Sequence, residues 1–296
     1  MRWFSRKRAA KNAVADAPTS RSLFSLGGRS HLANAPYMLP KDDLEINRLD
    51  FQHYMLRYAL RGNYAAPLRA PASILDVGCG TGRWALEMAR LYPQANVVGV
   101  DLVAPAIESG EKPENFAFVQ GNVLEENGLP FGPAAFDYVH QRFLFAAIPA
   151  DHWPQVVREL ARVTRPGGWV ELVEGATMSG DAPAFTAIQR WVMQASERRG
   201  IDFKAGAHVT DFLRQAGLAH INQREVAIPL GQYGGRLGVM METDFFSAVS
   251  GLRGPVMAMR ITSADEFDQA MQTARREMAT GRFSWTIHIA WGERGR

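Results

Sequence analysis

The chain has 296 residues, of which 47% are hydrophobic and 21% charged, and its formal net charge at pH 7 is +3. This length supports one enzyme-sized domain with additions, and the single cysteine, Cys79, excludes an internal disulfide and any metal site built from several cysteines. Since no stretch approaches roughly 18 unbroken apolar residues, we expect a soluble, cytoplasmic protein without a membrane span.

Positive charge is concentrated at the start of the chain. Residues 1 to 31 carry seven basic side chains against one acidic side chain, Asp16, so their net charge is +6. The stretch is rich in Ala and Ser and lacks a continuous apolar core, which excludes a secretory signal. We expect residues 1 to 35 to form a disordered basic arm. The alternative is a transient contact with nucleic acid or an anionic membrane, which Trp3 and Phe4 leave open.

The first predicted element is a helix over residues 42 to 60. Asp42 stands at its N-cap position and Glu45 follows three residues later, at the spacing of a capping box. We therefore expect residues 36 to 70 to form an N-terminal helical cap on the domain that occupies residues 36 to 296.

Short apolar runs then alternate with helical patterns. The predicted strands are residues 73 to 76, 97 to 101, 116 to 120, 137 to 140 and 169 to 174. Helices are predicted from Trp84 to Leu91 and from Asp151 onward, where apolar residues recur on one face. Strands that alternate with helices in this way predict an α/β fold with a parallel sheet covered on both faces.

The regular alternation of predicted strands and helices ends beyond Gly175. Predicted helices at 184 to 199 and 207 to 216 are followed by predicted strands at 220 to 228 and 285 to 291. Between these two strands lies an insertion, residues 229 to 282, with two predicted helices, the second of which begins with a capping box at Ser263 and Glu266. We assign the insertion to substrate selection above the carboxyl edge of the sheet. Its apolar residues suit an ordinary core equally well: Met240, Met241, Phe245, Phe246 and Val249.

The most informative stretch is Ser-Ile-Leu-Asp-Val-Gly-Cys-Gly-Thr-Gly-Arg-Trp at residues 73 to 84. An apolar strand leads into Gly78, Gly80 and Gly82, which adopt dihedrals that other residues avoid and let the backbone approach a ligand. The helix that follows directs free N–H groups at the same place. The pattern therefore predicts a nucleotide-binding loop.

The spacing of this loop helps to distinguish a dinucleotide, which carries a pyrophosphate, from a nucleotide-like ligand that carries positive charge. A dinucleotide fingerprint requires G-x-G-x-x-G, whereas this loop is G-x-G-x-G and places Arg83 where the third fingerprint glycine would fall. Asp76, at the end of the strand, would repel a pyrophosphate. The loop therefore favours a ligand that carries an ammonium and a sulfonium group.

Four motifs, in this order and at this spacing, resemble the class I S-adenosylmethionine-dependent methyltransferases. They are Ile-Leu-Asp-Val-Gly-Cys-Gly-Thr-Gly at 74 to 82, Val-Val-Gly-Val-Asp-Leu at 97 to 102, Phe-Asp-Tyr-Val-His at 136 to 140 and Thr-Arg-Pro-Gly-Gly-Trp-Val-Glu-Leu at 164 to 172. A narrower likeness covers residues 37 to 53 and 140 to 145, which resemble the LaeA-like methyltransferases of fungal and bacterial secondary metabolism.

The resemblance implies a Rossmann-like, doubly wound sheet of seven strands with an antiparallel last strand, and S-adenosylmethionine as the cofactor, with S-adenosylhomocysteine as its product. It places these residues around the cofactor: Asp76, Gly78, Cys79, Gly80, Thr81, Gly82, Asp101, Leu102, Asn122, Val123, Gln141 and Arg142. Asp76 would lie close to the ammonium, Asp101 would accept hydrogen bonds from the ribose hydroxyls, and Asn122 would contact the adenine amine. Asn122 stands where the family usually has Asp. The alternative role for Asn122 is to cap a turn. Cys79 suits a small packing residue within the loop.

His140, His53 and Tyr37 are the candidate catalytic bases, needed only where the acceptor must lose a proton. The resemblance places His140 at the end of the fourth strand facing the methyl group, although a structural role explains it equally well. Arg48, Asp50 and His53 also suit a structural cluster of ion pairs and hydrogen bonds.

Several sequence features narrow the acceptor. The fourth strand ends in Val-His-Gln-Arg rather than in the Asn/Asp-Pro-Pro-aromatic motif that holds a flipped base, and a second cysteine is missing, so we expect no nucleic-acid substrate. The seven histidines show no paired ligand spacing, so no metal is indicated. We expect a small or medium-sized natural product, methylated on oxygen, nitrogen or carbon. The alternatives are a regulatory or binding protein and a protein or RNA methyltransferase that uses the basic arm. A homodimer is left open.

Overall fold

A computed structural model describes residues 23 to 33, 35 to 108 and 110 to 296. The chain begins there with a hairpin of β1 (Leu23–Leu26) and β2 (Arg29–Leu32), followed by the helix α1 (Asp43–Leu60). The main sheet contains β3 (Ser73–Val77), β4 (Asn96–Asp101), β5 (Phe116–Gln120), β6 (Phe136–Arg142), β7 (Thr164–Ser179), β8 (Leu218–Leu230) and β9 (Phe283–Arg294). The remaining helices are α2 (Arg83–Leu91), α3 (Trp153–Val163), α4 (Pro183–Glu197), α5 (Val209–Gln215), α6 (Gly235–Gly251), α7 (Arg253–Ala258) and α8 (Ala264–Thr280).

The seven strands lie in the order β5-β4-β3-β6-β7-β9-β8. All pairs from β5 to β7 are parallel, whereas β9 runs antiparallel to both β7 and β8. This confirms the predicted α/β sheet of seven strands with an antiparallel last strand. The chain reverses its direction of winding between β3 and β6, and ligands of open α/β sheets bind at the carboxyl edge at such a point.

Both faces of the sheet are covered, as the alternating pattern predicted. Trp153, Val156, Val157 and Leu160 of α3 are fully buried on one face, and α2 buries Trp84 on the other. Each buried large apolar side chain contributes about 1.5 to 3 kcal/mol, so these two stripes hold the helices against the sheet.

The insertion differs from its prediction. Residues 229 to 282 contain three α-helices rather than two, because the six-residue α7 lies between α6 and α8. The capping box at the start of α8 is confirmed: Ser263 accepts from the amide of Glu266, whose side chain accepts from the amide of Ser263. The helix α6 packs on α1, and α8 packs on α4.

The start of the described chain also differs from its prediction. The expected disordered arm, residues 1 to 35, overlaps the hairpin of β1 and β2, while residues 1 to 22 lie outside the described residues. Arg29 in the hairpin donates to Asp42 over 2.6 Å, and Asp42 accepts from the amide of Glu45 over 3.1 Å as the predicted N-cap of α1. The hairpin is thus fastened to the first turn of α1, so the arm's predicted boundary at residue 35 lies too far along the chain.

None of the helices in the described part of the chain combines the length and the apolar content needed to cross a membrane.

Candidate active site

The glycine loop joins β3 to α2 at the carboxyl edge of the sheet. Gly78, Gly80 and Gly82 have φ angles of +68°, +55° and +77°, in the left-handed region that the alternate glycines predicted. A Cβ atom on Gly78 would lie 2.5 Å from Cδ2 of Leu144. The loop therefore depends on glycine both for its dihedrals and for its close approach to the loop after β6.

Strand β4 anchors this loop. The amides of Gly78 and Cys79 donate to the carbonyl oxygen of Val100 over 2.8 and 3.1 Å. The amide of Gly80 donates to Oδ2 of Asp101 over 2.8 Å. Asp101, which the resemblance assigned to the ribose, is thus oriented by the glycine loop.

A cavity of about 210 Å³ opens above this edge and is called the first cavity. It brings together ten of the predicted cofactor residues: Asp76, Gly78, Cys79, Gly80, Thr81, Asp101, Leu102, Asn122, Val123 and Arg142. Gly82 and Gln141 are outside its lining. Gly82 is instead the N-cap residue of α2, whose open N-terminus follows the loop.

His140 lies beneath the first cavity rather than in it. Its Nδ1 is 2.9 Å from Oδ1 of Asp76, its ring stacks on Trp84 with centroids 3.8 Å apart, and its side chain is fully buried. Burial lowers the pKa of His140, although the hydrogen bond to Asp76 opposes that shift. The neutral ring therefore donates to Asp76. The expectation that His140 faces the methyl group is corrected, since it lines no cavity described here.

Gln141 is also placed differently from its prediction. Its amide donates to Oε1 of Glu174 over 3.0 Å, and both side chains are fully buried. Glu174 accepts from the backbone amides of Leu144 and Phe145 over 3.3 and 3.0 Å. Burial raises the pKa of Glu174 to about 8. Gln141 therefore supports the loop after β6 and does not reach the predicted cofactor site.

Arg142 does line the first cavity, and His53 holds it there. Arg142 donates to Nδ1 of His53 over 3.0 Å, and Nε2 of His53 lies 3.2 Å from Oε2 of Glu87. Burial, reinforced by Arg142, lowers the pKa of His53 to about 4. In the neutral ring Nδ1 accepts from Arg142, so Nε2 carries the hydrogen, and His53 is a positioning residue rather than an available base.

Two of the alternatives left open by the sequence are compatible with the structure. Oδ1 of Asn122 accepts from the amide of Leu124 over 3.0 Å, so Asn122 caps a turn and also lines the first cavity. Cys79 is buried, which raises the pKa of its thiol, and its Sγ would lie 2.9 Å from a Cβ atom on Gly99. The side chain of Cys79 therefore packs on β4, and Cys79 also borders the first cavity.

A second cavity of about 430 Å³ adjoins the first. The two share Tyr37, Leu49, Gln52 and Phe143 as wall residues. The wall of the second cavity is mostly apolar and comes from α1, α4, α6 and the end of β7, with these large apolar members: Met38, Leu39, Phe145, Met178, Ile188, Val192, Met193, Phe203, Phe245, Val249, Leu252 and Trp285. Phe245 and Val249 thus serve both as core and as cavity wall.

A polar network lies where the two cavities meet. Arg48 donates to both carboxylate oxygens of Glu45 over 2.9 and 2.6 Å and to Oδ1 of Asp244 over 2.8 Å. Gln52 donates to Oδ2 of Asp244 over 2.9 Å, and the hydroxyl of Tyr37 donates to Glu45 over 3.3 Å. These contacts join α1 to α6.

The predicted cluster of Arg48, Asp50 and His53 is divided between separate partners. Arg48 belongs to the network with Asp244, Asp50 accepts from Arg83 over 2.8 Å, and His53 contacts Arg142. The three side chains thus make ion pairs and hydrogen bonds, as the structural alternative expected, but they do so with separate partners rather than as one cluster. Asp244 was not anticipated, because nothing in its own helix marks it as a partner for Arg48.

Comparison with known proteins gives the same assignment as the loop. A profile described as "Methyltransferase domain" matches residues 74 to 168. N-methyltransferase sirN of Leptosphaeria maculans is 28% identical over 89% of this chain and 96% of its own length. Methyltransferase str2 of Strobilurus tenacellus is 30% identical over 66% of this chain and 71% of its own length. Secondary metabolism regulator laeA of Aspergillus flavus is 31% identical over 78% of this chain and 64% of its own length.

The chain belongs to the class I S-adenosylmethionine-dependent methyltransferases. S-adenosylmethionine is accordingly the cofactor of this methyltransferase. The first cavity fits such a ligand: it combines a glycine cradle that a side chain would obstruct with two carboxylates, Asp76 and Asp101, suited to a cationic molecule that bears a diol. In the described part of the methyltransferase, no three His, Cys, Asp or Glu side chains come close enough to share a metal ion.

Proposed function

We propose that this methyltransferase methylates a small or medium-sized natural product held in the second cavity. The observation that carries the proposal is the boundary shared by the two cavities, because an acceptor in the apolar one would meet the cofactor there. The likeness to an N-methyltransferase and to a secondary metabolism regulator supports a substrate from secondary metabolism. The acceptor atom is oxygen, nitrogen or carbon.

The methionine half of the cofactor is assigned to the glycine loop. Asp76 would take the ammonium group with the carboxylate oxygen that His140 leaves free, and Gly78 to Gly82 would follow the chain of the methionine. Arg142, held by His53, is suited to the methionine carboxylate, since a guanidinium pairs well with that group. His140 and His53 thus position the two charged side chains that are assigned to the methionine half of the cofactor.

The nucleoside half is assigned to the ends of β4 and β5. Asp101 would accept from the ribose hydroxyls, with Gly80 and Val103 fixing its carboxylate through backbone amides. Asn122 retains a second lone pair on Oδ1 for the adenine amine, beside the one that caps its turn. Leu102 and Val123 would pack against the adenine ring.

When bound, the cofactor supplies a methyl group that its sulfonium already activates. The residues of the chain therefore contribute alignment and exclusion of water, effects worth up to ~7 to 11 kcal/mol in favourable intramolecular cases. Phe143 and Leu49 would bring the acceptor against the cofactor from the shared wall. Of the three candidate bases, Tyr37 alone lines both cavities. Burial raises the pKa of Tyr37, so its phenol stays protonated and acts as a hydrogen-bonding group.

The insertion has the place that substrate selection requires. Asp244, Phe245, Ala248 and Val249 of α6 form part of the second cavity, opposite the leading helix α1. We assign residues 36 to 70 to a cap over the cofactor and residues 229 to 282 to the substrate side.

Calorimetric titration tests the cofactor assignment. We expect S-adenosylmethionine or S-adenosylhomocysteine to bind with micromolar affinity, and Asp101→Ala to weaken binding at least tenfold, because hydrogen bonds to a charged acceptor contribute about 1.5 to 3 kcal/mol. Asp101→Asn, which keeps one acceptor oxygen, should weaken cofactor binding less than Asp101→Ala does. Binding of NAD without binding of S-adenosylmethionine would overturn the assignment.

A regulatory or binding role is the second candidate, and the likeness to laeA favours it. Release of S-adenosylhomocysteine in the presence of a panel of small acceptors separates the two. Cofactor binding without turnover of any acceptor would favour regulation, whereas turnover would establish the enzyme.

A further inference from the structure

The second cavity is polar on the side that faces the first. Tyr37 and Gln52 line both cavities, and Arg48 and Asp244 lie beside them in the lining of the second. These four residues are called the polar wall. Lys204, Gln189 and Thr177 also border the second cavity, but they come from other segments, and Lys204 is exposed. Two of the four residues that the cavities share are therefore polar, and an acceptor group that reaches the cofactor passes beside them as well as beside Leu49 and Phe143.

This wall presents hydrogen-bond acceptors. Gln52 gives an amide hydrogen to Asp244, and its Oε1 takes no hydrogen bond from any residue the structure describes. The hydroxyl hydrogen of Tyr37 is directed to Glu45, which leaves the lone pairs of its oxygen available. Arg48 turns its three nitrogens toward carboxylates. The ligand group that complements such a wall is a hydrogen-bond donor.

The buried network behind the wall, which adds Glu45 to Arg48 and Asp244, is also negatively charged. Glu45 and Asp244 carry two negative charges and Arg48 one positive charge, so the buried network has a net charge of −1. Burial raises the pKa of Asp244, although Arg48 and Gln52 oppose that shift. A buried unbalanced charge is costly, and a cation beside it would restore balance.

We propose that the acceptor of this methyltransferase is an apolar amine, and that the polar wall recognises its nitrogen. The inference rests on the proposed function, which it deepens by naming the substrate class. The protonated amine would donate its N–H groups to Gln52 and Tyr37, and the rest of the molecule would occupy the apolar part of the second cavity, between residues such as Phe145 and Trp285.

The reaction of an amine matches these groups. The bound ammonium first releases one proton to water; the nitrogen lone pair then forms the new bond to the methyl carbon, the carbon–sulfur bond breaks, and its electron pair remains on sulfur. The nitrogen becomes a methylated ammonium ion beside Asp244 and later releases its proton to water. An alkylammonium, whose pKa resembles that of Lys, releases this first proton more readily than an aliphatic alcohol does, so such an acceptor demands less of a protein base. Nδ1 of His53 accepts from Arg142 and is not free to act as a base, and His140 lines neither cavity.

Three probes with one skeleton test the inference on the full-length chain saturated with S-adenosylhomocysteine: 2-phenylethylamine, 2-phenylethanol and phenylacetate, titrated by calorimetry at pH 7. The amine should bind at least tenfold more tightly than the alcohol, and phenylacetate most weakly. Asp244→Asn should reduce the preference for the amine to about threefold or less. The matched control is Asp268→Asn, the same change in an exposed ion pair on α8, and it should keep the preference.

Tyr37→Phe is the second variant, because the 3.3 Å contact of its hydroxyl with Glu45 adds little to folding. It should weaken binding of the amine about threefold to tenfold. Equal affinity for the amine and the alcohol, binding of none of the probes, or an unchanged preference in Asp244→Asn would overturn the inference. Titration of S-adenosylhomocysteine in the same experiment judges the proposed function separately.

Discussion

The two cavities are built in different ways. The first is formed at the ends of neighbouring parallel strands, where the glycine loop, Asp101 and Asn122 lie within 45 positions of each other in the chain. The second is assembled from helices remote in sequence, and its contact between Arg48 and Asp244 joins residues 196 positions apart. Local backbone geometry therefore creates the first cavity, called the cofactor side, whereas tertiary packing creates the second cavity, which is the proposed acceptor side.

Their polar contacts differ accordingly. On the cofactor side a backbone amide, that of Gly80, orients the carboxylate of Asp101, which stays half-buried. On the acceptor side, Glu45, Arg48 and Asp244 are buried together and depend on each other for balance of charge. Loss of one member should therefore cost more stability on the acceptor side.

Removing the charge of Arg48 is the largest expected effect. Arg48→Met leaves two buried carboxylates without their partner and should lower the free energy of unfolding by about 3 to 5 kcal/mol. Arg253→Met breaks an exposed ion pair with Asp268 and should cost at most ~1 kcal/mol. Urea unfolding of both variants gives the comparison. Equal losses would show that the buried network does not hold the acceptor side together.

The sequence predicted the cofactor side well, because its signals are local. Alternate glycines require left-handed dihedrals, and an acid at the end of β4 must lie at the same sheet edge as the loop after β3. Asp244 could not be found in this way, because a single Asp within an apolar helix does not reveal which remote side chain it meets. The acceptor cavity depends on many such contacts.

The placement of His140 could have been improved from the sequence. Side chains along a strand alternate between its two faces, so His140 shares a face with Tyr138, and Gln141 shares the opposite face with Val139. Tyr138 and His140 both contact Trp84 of α2. Arg142, at the last position of β6, is the member that reaches the first cavity.

The free energy of unfolding should depend on pH through Glu174, which holds the loop that contributes Leu144 to the first cavity and Phe145 to the second. Burial raises its pKa from its ordinary value near 4.5 to about 8, so the folded protein keeps a proton that the unfolded chain releases. Stability should therefore fall as pH rises through this window, by at most ~1.4 kcal/mol per pH unit. Urea unfolding between pH 7 and 8 measures the slope, and Glu174→Gln should flatten it.

Glu171→Gln is the matched control for this slope. Burial raises the pKa of Glu171 to about 7, so that residue contributes mainly below the window used for Glu174. The lowered pKa of His53 acts in the opposite sense, because stability is then lost as pH falls below its unfolded value near ~6.5. A slope that Glu174→Gln leaves unchanged between pH 7 and 8 would contradict the assignment.

His140→Gln should have a smaller effect, confined to the cofactor side. The variant loses the stack on Trp84 and the ring that orients Asp76, so we expect S-adenosylmethionine to bind about threefold to tenfold more weakly. At saturating cofactor, turnover should recover to near the wild-type rate, because His140 does not contact the acceptor. A large loss of turnover rate at saturating cofactor would instead show that His140 takes part in methyl transfer.

Deletion of residues 1 to 22 is expected to change least. The deletion removes six of the seven basic side chains of the start of the chain but leaves the hairpin that Arg29 fastens to Asp42. Turnover of a small acceptor should be unchanged, since the described residues that line the two cavities begin at Leu32. Deletion of residues 1 to 33 is the contrast, because it removes the hairpin and Leu32 from the first cavity and should weaken cofactor binding. If the shorter deletion abolished turnover, the arm would belong to the mechanism, and a protein or RNA acceptor would become the better proposal.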